Sequence, residues 1–200
     1  VKSERSIYLA SGSPRRRELL QQIGVSFRVI GTDLDETALQ GESPLAYVSR
    51  LAQAKAAVGW ERSRDLGLAP VLAADTAVVL DGRILGKPAG MDDAMAMLLE
   101  LSGRTHEVLT AVALRSSSGI EGKISRSTVT FRSIDPSEAR AYWETGEPSD
   151  KAGAYAIQGY AAVFISDLQG SYSGVMGLPL FETAALLEAA GVTCWHLNEH

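Results

Sequence analysis

Apolar residues recur along the chain in two rhythms, short β-type blocks and longer stretches at helical spacing, and the two alternate. Ser6–Ala10 and Ser26–Ile30 read as strands on either side of a helix from Pro14 to about Ile23. In that helix Leu19, Leu20 and Ile23 share a face, and Gly24 supplies the stop. Ser43-Pro44, a capping serine followed by proline at the first helical position, opens a long helix to about Ser63. Pro70–Leu80 (PVLAADTAVVL) is apolar on both sides of one aspartate, as a buried strand would be. Asp81-Gly82 marks a turn into Ile84-Leu85 and Gly86-Lys87-Pro88, and a helix over Asp92–Leu101 ends at Gly103. His106–Arg115 and Ile124–Ile134, joined through Ser116–Gly119, predict an antiparallel hairpin. Pro136–Thr145 reads as a helix, Ala161–Ile165 as a strand, and Leu178–Ala190 as a last helix stopped by Gly191.

Hairpins set among alternating strands and helices predict an α/β fold with a mixed twisted sheet flanked by helices. No repeat or low-complexity segment interrupts the pattern, and 200 residues fit one large domain or two small lobes. The loops at 31–43 and 145–160 are long enough to line a cleft.

Composition narrows the function classes. A net charge of −5 argues against binding a nucleic-acid polymer by bulk attraction, which needs a basic face. Any phosphate site must then be a local cluster of donors. With one cysteine, Cys194, neither an intrachain disulfide nor a cysteine zinc site is available, and His106, His196 and His200 lack partners at ligand spacing. Val1–Ala10 carries Lys2, Glu4 and Arg5, the wrong shape for a signal peptide. No apolar run approaches the roughly 20 residues of a membrane helix. The expectation is a soluble, cytoplasmic protein with no membrane partner.

Three placements carry chemistry. Ser11-Gly12-Ser13-Pro14-Arg15-Arg16-Arg17 lies between a strand and a helix, with Ser13 placed to cap it. Its arginines fall in the first helical turn, where each cation is disfavoured by about 0.3–1 kcal/mol. A bound anion would remove that conflict. The alternative is that the arginines turn back into water. Lys55 is second: the stripe Leu45, Val48, Leu51, Ala52 reaches it at the same helical phase, so it either snorkels or delivers an ammonium to a cleft. Third is Asp75, inside the apolar strand, which needs backbone amides, cations or a metal as partners. Lys87 follows shortly after that strand, and Gln158, in Lys151–Gly159, has an amide that both donates and accepts, as base recognition requires. Ser171–Pro179 is glycine-punctuated in the same way and is as readily structural. Arginines and lysines facing Asp75 and Glu36, without a histidine or cysteine nucleophile, fit metal-assisted hydrolysis of a phosphoanhydride.

LASGSPRRRELL at 9–20, AADTAVVLDGRILGKP at 73–88, DKAGAYAIQG at 150–159 and GSYSGVMGLPL at 170–180 together resemble the Maf family of nucleoside triphosphate pyrophosphatases. The likeness runs in order from about residue 6 to 190, so the chain is expected to be a single Maf-like domain over 1–200. The resemblance implies cleavage between the α- and β-phosphates of a nucleoside triphosphate with Mg²⁺ or Mn²⁺. It further implies an inosine triphosphatase-like fold of two lobes around a cleft, and often a homodimer. By position it makes Asp75 the base or a metal-side carboxylate and Glu36 the acidic metal residue. Lys55 and Lys87 match the family's lysines, and Ser11, Ser13, Arg15 and Arg16 its phosphate loop. Arg16, Thr76 and Gln158 match the branch acting on dTTP and UTP, whereas Arg17 falls at a variable position. Two other readings come with the family: a nucleotide-binding regulator of septum formation, and a pyrophosphatase for a methylated purine nucleotide such as 7-methyl-GTP.

Overall fold

The structure, a computed structural model, describes residues 6–195. Its strands are β1 (Ile7–Leu9), β2 (Phe27–Val29), β3 (Val71–Leu80), β4 (Arg83–Leu85), β5 (Thr105–Ser116), β6 (Gly119–Phe131) and β7 (Ile165–Gln169). Its helices are α1 (Pro14–Gln22), α2 (Pro44–Ser63), α3 (Met91–Leu101), α4 (Pro136–Glu144), α5 (Tyr172–Met176) and α6 (Leu180–Ala189). All seven strands join one mixed sheet in the order β2-β1-β3-β5-β6-β7, with β4 also on β3. β1 runs parallel to both β2 and β3, and the other pairings are antiparallel.

Helices cover both faces, which is why β3 can be apolar on either side. On one face α2 lies against Tyr8, Ala10, Ala73, Ala77, Val79, Leu109 and Ala111. Its buried Ala52, Ala56 and Gly59 permit a close approach. A Cβ on Gly59 would stand 2.8 Å from Val71 Cγ1 and 3.1 Å from Ala10 Cβ. The opposite face holds two separate apolar clusters. One joins Leu19 and Leu20 of α1 and Leu186 and Leu187 of α6 to Leu9, Leu72, Ala74 and Val112. The other joins Leu98 and Leu101 of α3 and Ala139 and Tyr142 of α4 to Val78, Val108, Val129 and Phe131. The mixed sheet with helices on both faces is the fold class expected from the sequence. Along β3 and β5 the clusters meet at Thr76 and Thr110, directly paired across the strands.

The edge of β3 is interrupted. β1 pairs with it as far as Leu72, and β4 pairs from Val78 onward. In between, residues 73–77 have no strand partner on that side. Successive side chains on a strand point to opposite faces, so Asp75 points toward α2 and Thr76 toward the two clusters. A cleft opens around this free edge.

Three expectations need correction. Ala161–Ile165 is not a strand: Tyr160–Phe164 forms a 3₁₀ turn and pairing begins at Ile165. The cause is Glu147, whose carboxylate accepts the Tyr160 and Ala161 N–H groups (3.0 and 3.3 Å) and favours a helical start. The last helix begins at Leu180, preceded by a separate five-residue α5 that Ser171 caps. β6 starts at Gly119, five residues earlier than expected, because a two-residue Ser117-Ser118 turn zips the hairpin from Ser116–Gly119 onward. His196 and His200 lie outside the described residues. No helix among the described residues is long and apolar enough to cross a membrane.

Candidate active site

The loop before α1 is organised by Ser11, whose hydroxyl is buried and accepts from the Ser13 N–H (3.2 Å) and from Arg16 (3.1 Å). Ser13 stands at the N-cap position with extended backbone but makes no side-chain cap, contrary to expectation. Arg16 is held on three sides: Nε donates to the Gly177 carbonyl (2.7 Å), one terminal nitrogen to Ser11, and the other to Thr76 Oγ1 (3.3 Å). Burial pulls its pKa below the usual arginine value, with Asp75 opposing. Arginine nevertheless keeps its charge in proteins. The Arg16 side chain therefore does not turn back into water, and two of its five N–H groups stay uncommitted beside the cleft.

Across the free edge, α2 brings Lys55 to two carboxylates. Its Nζ lies 2.7 Å from Asp75 Oδ1 and 2.7 Å from Glu36 Oε1. The lysine is buried and does not snorkel, although Leu45, on the expected stripe, is exposed. The two acids respond differently to one ammonium. For Asp75, desolvation is the largest influence and raises its pKa despite Lys55 and Arg16. For Glu36, half-exposed, desolvation also acts upward, but Lys55, Lys87 and Arg16 together outweigh it and hold the group below its ordinary value. The two carboxyls that share Lys55 are thus pushed in opposite directions, Asp75 up and Glu36 down. Tyr47 positions Glu36 by donating to its backbone carbonyl (3.0 Å).

The cleft is about 540 Å³ and is lined by Ser11, Ser13, Arg15, Arg16, Glu36, Lys55, Asp75, Thr76, Lys87 and Gln158, every position expected from the sequence. Arg15, Lys87 and Gln158 contribute from its walls, and Lys87 and Gln158 are exposed. Arg17 is not among the lining residues. Gln158 is carried on a loop stapled by Tyr142, whose hydroxyl donates to Glu147 (2.7 Å) and accepts from the Ala156 N–H (3.2 Å). Gly153 seats this loop against β3, at positive φ with room for no Cβ beside Val78.

A family model described as Maf-like protein matches residues 6–190. The chain belongs to the Maf-like family. A dTTP/UTP pyrophosphatase of Nitrosomonas europaea is 54% identical over 94% of this chain and 95% of its own length. One from Aromatoleum aromaticum is 55% identical over 92% and 95%. Among solved structures, a nucleoside-triphosphatase (dITP/XTP pyrophosphatase) from Mycobacterium abscessus aligns with TM-score 0.39 and 21% identity, covering 63% of this chain and 72% of that one. The Staphylococcus aureus Ham1 protein aligns with TM-score 0.37 and 18% identity, over 66% and 72%.

In this Maf-like chain several contributors escaped the sequence reading. Tyr47, Thr32, Lys151 and Gly177 line the cleft, and Lys151 pairs with Asp150. Thr110 lies behind Thr76, 1% exposed and hydrogen-bonded to it. A threonine inside the apolar run LTAVAL was the available clue. The segment Ser171–Pro179 also borders the cleft, where the Gly177 carbonyl accepts from Arg16.

Proposed function

We propose that this protein hydrolyses a nucleoside triphosphate, with dTTP and UTP as its preferred substrates, to the monophosphate and pyrophosphate. The reading rests above all on Lys55 bridging Asp75 and Glu36 in a cleft shared with Arg15, Arg16 and the N-terminus of α1. The names borne by relatives more than half identical agree with it.

In this reading Asp75 takes the proton of the attacking water, whose oxygen bonds to the α-phosphorus as the bond from that phosphorus to the bridging oxygen breaks. Pyrophosphate leaves with the electrons of the broken bond. The Asp75 carboxylate is suited to this because burial raises its basicity while Lys55 fixes Oδ1, leaving its second oxygen to receive the proton. Arg15, Lys87 and the N–H groups opening α1 neutralise the polyphosphate.

Glu36 and Asp75 suit a divalent metal in part. They are hard oxygen donors, but no group of three or more acidic, histidine or cysteine side chains among the described residues could hold an ion unaided. Glu36 and Asp75 would hold Mg²⁺ or Mn²⁺ together with oxygens of the bound substrate. When bound, the ion would supply charge neutralisation at the phosphoryl oxygens. A homodimer and a cytoplasmic location belong to the same reading.

Incubating the protein with UTP, dTTP, CTP and 7-methyl-GTP in Mg²⁺ or Mn²⁺ tests it. Pyrophosphate from UTP and dTTP is the expected product, and orthophosphate alone would overturn the assignment. Asp75→Asn should abolish turnover with the fold intact by circular dichroism, and retained turnover would place the base elsewhere.

A further inference from the structure

Behind the cleft wall runs a chain of hydrogen bonds with a fixed direction. Arg16 donates to Thr76 Oγ1 (3.3 Å), Thr76 and Thr110 share a bond of 2.9 Å, and Thr110 Oγ1 donates to the Gly174 carbonyl (2.7 Å). Each hydroxyl has one proton. A carbonyl can only accept, so the Thr110 proton is committed to Gly174. Toward Thr76, Thr110 is therefore an acceptor, and the Thr76 proton must point away from the cleft to meet it. What remains of the Thr76 oxygen is acceptor alone. Beside it stands Arg16, with three of its five N–H groups committed, to Gly177, Ser11 and Thr76, and two left over.

Thr110 does not touch the cleft. It is 1% exposed and sits where the two apolar clusters divide. Its partner Gly174 is itself pinned. The Gly174 N–H donates to Ser171 (3.0 Å), and a Cβ at Gly174 would lie 2.9 Å from Ser125 Oγ. The acceptor that orients Thr110 thus has no freedom to drift. A threonine pair across two strands would contribute to the sheet alone, but here the pair also transmits a proton direction from α5 to the cleft.

Resting on the proposed pyrophosphatase reading, we infer that Thr110 is a positioning residue for base selection: it locks Thr76 as an acceptor beside the Arg16 donor, a pattern that matches uracil and thymine and rejects cytosine. The imide edge of uracil or thymine offers a carbonyl oxygen beside an N–H, the complement of donor and acceptor. Cytosine reverses both, with an amino group where the carbonyl was and a bare ring nitrogen where the N–H was. In the wild-type cleft it would set N–H against N–H and lone pair against lone pair. A site built to hydrogen-bond one pattern rejects the reverse because its own groups are left unpaired.

Thr110→Val and Thr110→Ser separate this role from simple structural support. The measurements are kcat/KM for UTP and CTP, and calorimetric affinities for their non-hydrolysable α,β-imido analogues in Mg²⁺. Wild type and Thr110→Ser should prefer uracil over cytosine by the same ratio. In Thr110→Val the Thr76 proton is free to turn into the cleft, and the ratio should fall about tenfold, roughly the worth of one hydrogen bond. The fall should come from weaker UTP together with stronger CTP. General loosening lowers both equally, so an unmoved ratio in a folded Thr110→Val protein overturns the inference, as does a wild type with no uracil preference. Thr110→Ala removes the same acceptor without placing a methyl against the Gly174 carbonyl, and is read identically if Thr110→Val does not fold. If the analogues show the preference and its loss while no pyrophosphate forms from UTP, the reaction assignment fails and the role of Thr110 stands.

Discussion

Replacing Lys55 with Met keeps the length of a buried side chain and removes the ammonium shared by Asp75 and Glu36. Glu36 is half-exposed and can fall back on water, whereas the Asp75 side chain is only 9% exposed. Breaking a buried ion pair from one side costs about 3–5 kcal/mol, because a charge is left without its partner. For a chain of this size that corresponds to a fall in Tm of roughly 10 °C. The loss must depend on pH. The folded-state pKa of Asp75 is already raised by burial, and without Lys55 it rises further. A carboxyl whose folded pKa exceeds its unfolded value of about 3.9 destabilises most above the folded pKa, and the penalty fades as pH falls and the group protonates. Urea denaturation of Lys55→Met and wild type at pH 8, 6 and 5 should therefore show a gap that is widest at pH 8 and narrows with acid. Lys55→Met/Asp75→Asn should recover much of the loss at pH 8, since the stranded charge is gone. A gap of constant size, or a double variant no more stable than the single one, would refute the argument that this lysine exists to carry a buried carboxylate.

Two further outcomes follow from groups away from the cleft. His106 is buried against Phe131 and Tyr155, with Nδ1 unpartnered, and burial lowers its pKa to about 4. Stability is then present above pH 6.5 and lost as pH falls toward 4; between pH 7.5 and 5 the loss is about 2 kcal/mol by urea denaturation, and His106→Gln should flatten that slope. Gly59→Ala, which would gain about 1 kcal/mol in an exposed helix, should instead destabilise by about 1–3 kcal/mol, because its Cβ would meet Val71 at 2.8 Å; a higher Tm would contradict the packing argument.

Much of the frame was legible because strong local chemistry agreed with tertiary packing. Ser43-Pro44 opened α2 where expected, and its side chain caps the helix through the Ala46 N–H. Lys55 and Asp75 stood out because each placed charge in an apolar pattern, and the fold pairs them with each other. What stayed hidden depended on partners remote in sequence. The turn at Tyr160–Phe164 is set by Glu147, well before it, against an apolar run that reads as a strand. Ser13 holds the N-cap position without a side-chain cap, while the Ser11 hydroxyl two residues earlier accepts its N–H, a local arrangement that sequence alone does not decide. Thr110 looked like any β-branched strand residue until its opposite number on β3 was known.

The broken edge of β3 has a consequence for how such an enzyme can diversify. Asp75 and Thr76 are neighbours in the chain but face opposite sides of the sheet, so the polyphosphate end and the base end of one ligand would be handled by separate sets of packed residues. Lys55 and Glu36 belong to the first set, and Arg16, Thr110 and α5 largely to the second. Substitutions that retune base choice need not pass through the hydrolytic machinery. New substrate preferences can then arise by few steps from a hydrolytic core that keeps working throughout.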